Sequence, residues 1–261
     1  MSDNNTEENT SFLGEMGLVE HLEDLRNKLM KAIIAAFLGM LVCFIFSEKL
    51  FDWLMLPLYR AMPEDTTMIY TAPPEAFFTY LKVALIAGIF LTSPYIFYQI
   101  WLFVKPGLYS HEQKYIYPIS FFSALLFVAG AIFGYFIIFP YAYKFFMGFA
   151  DVYITPTITM KEGFSFALAL LLAFGVVFEL PLVIFFLARL GLVTSKTLRK
   201  QRKYALMIAF MLSAFLTPPD IFTQVFMAGP LIVLYEIGIW IAAVFGTREP
   251  RKQAKKQEEG V

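Results

Sequence analysis

The sequence predicts an all-α, polytopic membrane protein with six transmembrane helices and both termini in the cytoplasm. Composition is the first reason. Of 261 residues, 59% are hydrophobic and only 16% are charged, whereas a soluble domain carries about 25% charged residues. The second reason is run length. Apolar stretches of about 18 or more residues satisfy their own backbone in lipid only as helices. A β-barrel would instead alternate polar and apolar residues over segments of about ten, and no such segment occurs in the sequence. The third reason is the placement of lysine and arginine. With an even number of spans the termini share a side. That side collects Arg26, Lys28 and Lys31, Lys105 and Lys114, the run from Arg189 to Lys203, and the tail from Arg248 to Lys256. The opposite side holds only Lys49, Arg60, Lys144 and Lys161, so the positive-inside bias puts both termini in the cytoplasm. Lys82 lies just inside a span and can snorkel outward.

Each element follows from this frame. Residues 1–28 form a polar, acidic cytoplasmic segment. No basic n-region precedes an apolar core there, so the first span is expected to be retained as an anchor. Span one runs from Leu29 to Phe46 and contains the single cysteine, Cys43, which has no intrachain partner. A mixed segment from Ser47 to Glu75 carries Pro57, Pro63, Pro73 and Pro74. Span two is Phe77 to Val104, followed by a polar loop, Lys105 to Lys114. Span three is Ile116 to Phe139, followed by a loop from Pro140 to Gly163. Span four is Phe164 to Ala188, followed by the basic loop Arg189 to Lys203. Span five, Tyr204 to Leu216, has about 13 residues, or about 20 Å of helix. That is short of a hydrocarbon core of about 30 Å, so it must thin the bilayer, tilt little or hide against neighbours. The turn Thr217-Pro218-Pro219-Asp220 ends it, and Asp220 is placed to cap span six, Phe222 to Phe245. Pro230 can kink that span. The domain organisation is thus 1–28, a six-span unit over 29–245, and a charged tail over 246–261 that is expected to be disordered. The halves show no inverted repeat, which weakens a transporter reading.

Ionisable residues inside spans are functional candidates, because burying them in lipid costs several kcal/mol. Glu179 lies in Phe178-Glu179-Leu180-Pro181 and Glu236 in Tyr235-Glu236-Ile237. Neither has an obvious cationic partner nearby in sequence. The structural reading is a neutral acid hydrogen-bonded to a neighbouring helix; at Glu179 the functional reading is preferred. A second cluster is cytoplasmic. Glu20, Glu23, Asp24 and Asn27 can share a helical face before span one, beside His21-Leu22-Glu23-Asp24-Leu25-Arg26. Pro106-Gly107-Leu108-Tyr109-Ser110-His111-Glu112 lies in the next cytoplasmic loop. Carboxylates there run against the positive-inside trend and suit a cationic ligand. A solvated face is the plain alternative, and charge pattern alone favours it. Gln224, one turn into span six, favours contact with another polar helix.

Catalysis fits poorly. The two histidines, His21 and His111, lie outside the spans, so there is no zinc-peptidase pair on a span and no base for a serine nucleophile. No aspartyl dyad and no glycine-rich phosphate loop appear, so neither an enzyme nor a cofactor is expected. The balanced charge gives no sign of nucleic-acid binding.

Taken in order, these motifs resemble the TatC family, the polytopic core subunit of the twin-arginine protein translocase. The resemblance covers about residues 18–247. It rests on His21 to Arg26, on Ser93-Pro94 and Tyr98-Gln99-Ile100-Trp101, and on Phe103 with Pro106-Gly107-Leu108-Tyr109 and His111-Glu112. It rests also on Ala173-Phe174-Gly175 with Phe178 to Pro181, and on Leu216 to Asp220 with Gln224. The family's N-terminal motif reads H-L-x-E-L-R, and here Asp24 takes the glutamate position, one methylene shorter, with Glu23 beside it.

The resemblance implies a concave, glove-like arrangement of spans in the bacterial cytoplasmic membrane. It implies a receptor for twin-arginine signal peptides that starts export of folded proteins, driven by the proton-motive force. Glu112, Asp24, Glu23, Glu20, Arg26, Phe103, Pro106 and Tyr109 are then the candidate peptide site. Glu179, Asp220, Gln224, Thr217 and Gln99 are candidate polar groups for docking single-span TatA- and TatB-type subunits. Self-association and contact with membrane lipid are also implied. The competing function is a proton-coupled small-molecule transporter using Glu179 and Glu236, which predicts proton flux by this chain alone. An intramembrane enzyme lacks its residue pairs, and a scaffold without a ligand leaves the acidic patch unexplained.

Overall fold

In the computed structural model, residues 18–62, 68–107, 113–148, 157–216 and 221–246 are described; at 18–21, 61, 107, 216 and 222 only the backbone is. The tail beyond 246, Tyr109, Glu112, Thr217 and Asp220 therefore lie outside the described residues, as does the side chain of Glu20. The regular structure of the described residues is helical apart from one isolated bridge, Ile69 to Thr159. Helix α1 spans Leu18–Phe44, α2 Ser47–Ala61, α3 Glu75–Val104, α4 Ile116–Phe133 and α5 Phe139–Met147. Then follow α6, Met160–Phe178, α7, Leu180–Arg189, α8, Ser195–Lys200, α9, Arg202–Leu216, and α10, Ile221–Phe245.

Among the described residues, five helical stretches are long and apolar enough to cross a membrane: Leu22–Phe44, Glu75–Val104, Gln113–Met147, Met160–Arg189 and Thr223–Phe245. The expected sixth, α9, has 15 residues, about 22 Å at helical rise. Its shortness agrees with the expectation from sequence. It packs against α10, α6 and α8.

Prolines shape these helices, and nearby hydroxyls repair what they break. A proline inside a helix leaves the carbonyl four residues earlier without its N–H donor. Pro57 lies inside α2, and the Trp53 carbonyl accepts instead from the Tyr135 hydroxyl at 2.5 Å. Pro94 lies inside α3, and the Phe90 carbonyl accepts from Ser93 Oγ at 2.8 Å. Pro140, expected to begin a loop, instead starts α5 just after a π-helical turn, Gly134–Ile138. The wider turn accommodates the missing donor, so the helix continues to Met147. The mixed segment after span one likewise holds a full helix, α2, which packs on α3, α5 and α6. Its Met55 and Leu58 sit with Phe139, Phe164 and Phe174 in the main core.

Two crossings set the helix pairs. Helices α1 and α3 run antiparallel and meet at Gly39 and Gly88, where a Cβ on Gly88 would stand 2.4 Å from the Met40 nitrogen. Helices α4 and α6 meet at Gly130, where a Cβ would stand 2.3 Å from the Phe174 carbonyl oxygen. Small residues at such points let backbones approach, which is how helices associate where lipid removes the hydrophobic drive.

The end of the fold opposite Asp24 is closed by Glu75. Its carboxylate accepts from Thr71 N at 2.7 Å, Thr71 Oγ1 at 2.9 Å and Lys161 N at 2.9 Å. Lys161 is in the first turn of α6, whose N-cap Thr159 accepts from Glu162 N at 3.2 Å. One helix start is thus capped by its own threonine and by a carboxylate from another helix, where the dipole favours negative charge. Glu75→Ala strips three donors of their acceptor. The expected result is a lower midpoint of thermal unfolding in detergent and faster proteolysis within residues 68–75, both checked on purified protein.

Candidate functional site

The antiparallel α1–α3 pair builds one end of the molecule. Counting equal distances from the Gly39–Gly88 crossing, Asp24 on α1 and Phe103 on α3 reach the same end. Lys31 and Tyr95 lining one groove between these helices confirm the register. Glu23 and Arg26 are exposed, Asp24 is half-buried, and Pro106 is exposed in the 3-10 turn Lys105–Gly107 that begins the next loop. Phe103 is half-buried. Asp24 is engaged by Lys28, one helical turn on. Such an i,i+4 pair is worth only about 0.3–0.5 kcal/mol, so the lysine holds the aspartate weakly. This end therefore offers carboxylates beside aromatic and proline surface, with the loop that carries Glu112 starting from it.

The second polar locus is interior. Pro181 cannot donate to the turn before it, so the long helix breaks at Glu179 between α6 and α7. The Glu179 side chain is buried, and its Oε1 has no hydrogen-bond partner among the described residues. Beside it is Ser123 of α4, fully buried, whose oxygen accepts from Trp101 Nε1 of α3 at 2.8 Å. Trp101 also packs edge-on against Phe186 of α7, with ring centroids 4.7 Å apart. Trp101 thus joins α3 to α4 and to the segment after the break. Gln99 is buried in α3.

Glu236 is not isolated, as its sequence surroundings suggested. Arg202 Nη2 donates to its Oε2 at 2.7 Å. The two residues lie 34 apart in sequence, so only the fold reveals the pair. Both side chains are substantially exposed, and Tyr235 beside them donates to the Leu198 carbonyl at 2.9 Å. The pair ties α10 to the α8–α9 turn and leaves Glu236 ill-suited as a free relay acid. Gln224 donates from Nε2 to the Phe210 carbonyl at 3.0 Å, so one of its amide protons is spent joining α9 to α10. The basic loop before α8 is entered through Gly191, whose φ of 68° only glycine adopts freely. Leu192 N and Gly191 N donate to the Leu187 and Ala188 carbonyls at 3.0 and 3.1 Å, a Schellman end to α7.

Sequence reasoning missed Glu75 and the Trp101–Ser123 contact. The Thr71-Ala72-Pro73-Pro74-Glu75 turn is the one signal that could have marked Glu75 as a cap. Among the described residues no group of His, Cys, Asp and Glu is arranged to hold a metal ion.

The fold defines a multi-pass helical membrane protein with carboxylates at one end and a buried carboxyl in its interior. Comparison with known proteins is specific. The family described as Sec-independent protein translocase protein (TatC) matches residues 20–230. The Sec-independent protein translocase protein TatC of Desulforapulum autotrophicum is 48% identical over 239 residues, covering 92% of this chain and 88% of the relative. That of Escherichia coli is 36% identical over 228 residues, covering 87% and 88%. A crystal structure of a twin-arginine translocase receptor, TatC, superposes with a TM-score of 0.77 at 41% identity, covering 85% of this chain and 98% of that one. The chain belongs to the TatC family. It is a component of a protein translocase, not an enzyme.

Proposed function

We propose that this chain is the receptor for twin-arginine signal peptides and the core of a translocase that exports folded proteins. The observation that carries the reading is the α1–α3 pairing. It sets Glu23 and Asp24 at the end where the loop bearing Glu112 begins. Two carboxylates facing two guanidinium groups form charge-assisted, bidentate pairs. Lysine offers a point charge without the fork, so a twin-lysine peptide binds less well. The solved relative described as a twin-arginine translocase receptor supports the same reading. The lysine- and arginine-rich end, which includes Arg26, Lys105 and the Arg189–Lys203 segment, faces the cytoplasm of a bacterial inner membrane.

The buried Glu179, with α9 and α10, receives single-span TatA- and TatB-type partner helices. Asp220, Thr217 and Gln224 contribute at the edge of that surface. The short α9 thins the bilayer beside it. The proton-motive force supplies the energy. The outward face of α1, where Ile33, Phe37 and Leu41 are at least half exposed, faces lipid or a second copy of the chain.

The test is export in cells that lack their own homologue but keep the partner subunits. A folded reporter with a twin-arginine signal is exported when this chain is supplied, and export stops when the proton gradient is collapsed. Equal export of a twin-lysine reporter, or export that persists without the gradient, contradicts the reading.

A further inference from the structure

A groove of about 510 Å³ runs along α1 and α3 past the Gly39–Gly88 crossing. Lys31, Ala35, Leu38 and Val42 form its α1 wall at helical spacing, with Leu91 and Tyr95 of α3 opposite. Leu38, Val42 and Leu91 are each at least half exposed, so the groove opens to the surroundings. Thr92 also lines it, but its hydroxyl donates to the Gly88 carbonyl at 2.8 Å. The trough beyond Lys31 therefore offers an apolar surface. Its end is different. Lys31 lies eight residues before Gly39, and Tyr95 lies seven after Gly88. Both thus stand about 11 Å from the crossing, at the same level. The residues one turn from Lys31 on α1 are Asn27, Lys28, Ile34 and Ala35, so no carboxylate offsets it there. Among the described residues the ion pairs join Lys28 to Asp24 and Arg202 to Glu236, and Lys31 has none. Two other apolar grooves, one lined by Tyr141 and Phe226 and one by Trp53 and Phe90, have no charged side chain in their walls.

We infer that this groove is a site for one anionic phospholipid, with the phosphate on Lys31 and Tyr95 and an acyl chain along Ala35, Leu38 and Val42. Length selects the occupant. From Lys31 to Val42 the groove follows α1 for about 16 Å. One leaflet of a hydrocarbon core of about 30 Å is about 15 Å deep, whereas a membrane-spanning helix lies along the full thickness. Charge selects the head group. The lysine stem lies along the apolar wall while its ammonium reaches the phosphate layer, where a basic residue attracts anionic lipid. The Tyr95 hydroxyl adds a donor. A zwitterionic head group brings its own cation and is held less strongly. The level of Lys31 puts this lipid in the leaflet at the Asp24 end. It bridges α1 and α3, the pair that carries Asp24 and Phe103.

Two readouts on the full chain test this. The first is native mass spectrometry of the purified protein, titrated with phosphatidylglycerol and phosphatidylcholine of identical acyl chains. The first lipid retained is expected to be phosphatidylglycerol. Lys31→Gln, at an exposed position, lowers that preference about fivefold, the effect of one cation near a lipid phosphate. Lys82→Gln, which removes an exposed lysine of α3 outside the groove, leaves the preference unchanged. Ala35→Phe fills the trough and weakens retention of both lipids, and Leu38→Trp does the same from a more exposed position. The second readout is photocrosslinking in membranes with p-benzoylphenylalanine in place of Leu38. The expected product is the chain plus the mass of one phospholipid. Equal retention of the two lipids overturns the inference, as does an undiminished preference in Lys31→Gln or an equal loss in Lys82→Gln. A crosslink from position 38 to a second copy of the chain, or to another protein, in place of lipid also overturns it.

Discussion

Gly130→Leu is expected to abolish the stable fold. The first added atom, Cβ, would lie 2.3 Å from the Phe174 carbonyl oxygen, 2.8 Å from its carbon and 2.9 Å from Phe178 Cβ. Backbone atoms cannot swing aside as a long side chain can, so α4 and α6 must separate. Overpacking a well-filled core costs about 1–3 kcal/mol, and a clash with helix backbone belongs above that range. The loss propagates, because the same crossing brings Phe127 against Gly175 and Ser123 beside Glu179. Size-exclusion chromatography and thermal unfolding of the purified variant check this. Little or no monodisperse protein is expected, whereas Gly229→Ala, where an added Cβ meets nothing within 4 Å, is expected to behave as wild type. A well-folded Gly130→Leu protein would mean that the two spans do not cross at this point.

Glu112→Ala carries the second large effect, on binding instead of folding. If the loop glutamate pairs with one arginine of the signal peptide and Asp24 with the other, alanine removes one bidentate contact. Charge-assisted hydrogen bonds contribute about 1.5–3 kcal/mol, and screening by salt brings the figure to the low end. A loss of about tenfold in affinity follows, with a smaller loss for Asp24→Ala because Glu23 stands beside it and Lys28 already occupies the aspartate. Titration of a labelled peptide at two ionic strengths checks both. The Glu112→Ala protein should also show a shallower dependence on salt, since one ionic contact is gone.

The sequence revealed the class and most of the spans because lipid imposes a simple rule: a run of apolar residues of sufficient length is a helix. It revealed the shortness of α9 for the same reason. It revealed Glu179 because a lone carboxylate in such a run is costly, but span four read as continuous, and its break before Pro181 appears only in the structure. Proline misled elsewhere. Pro140 reads as the start of a loop and Pro57 as part of a mixed segment, yet both lie in helices. The repairs come from Tyr135, 82 residues from the Trp53 carbonyl it serves, and from a π turn that no apolar pattern announces. Pairings across the fold were equally hidden. Arg202 with Glu236 and Glu75 with Lys161 join residues far apart in sequence, and only the helix crossings bring them together. The Asp24–Lys28 pair, one helical turn apart, was within reach of sequence reasoning, which did not draw it.

The most direct measurement is equilibrium binding of a labelled twin-arginine signal peptide to the purified chain in nanodiscs, set against the same peptide with twin lysine. Tighter binding of the arginine peptide is the expected result, since only a guanidinium engages a carboxylate with two parallel hydrogen bonds. Equal binding of the two peptides, or no binding of either to well-folded protein, would contradict the assignment of this chain as the signal-peptide receptor.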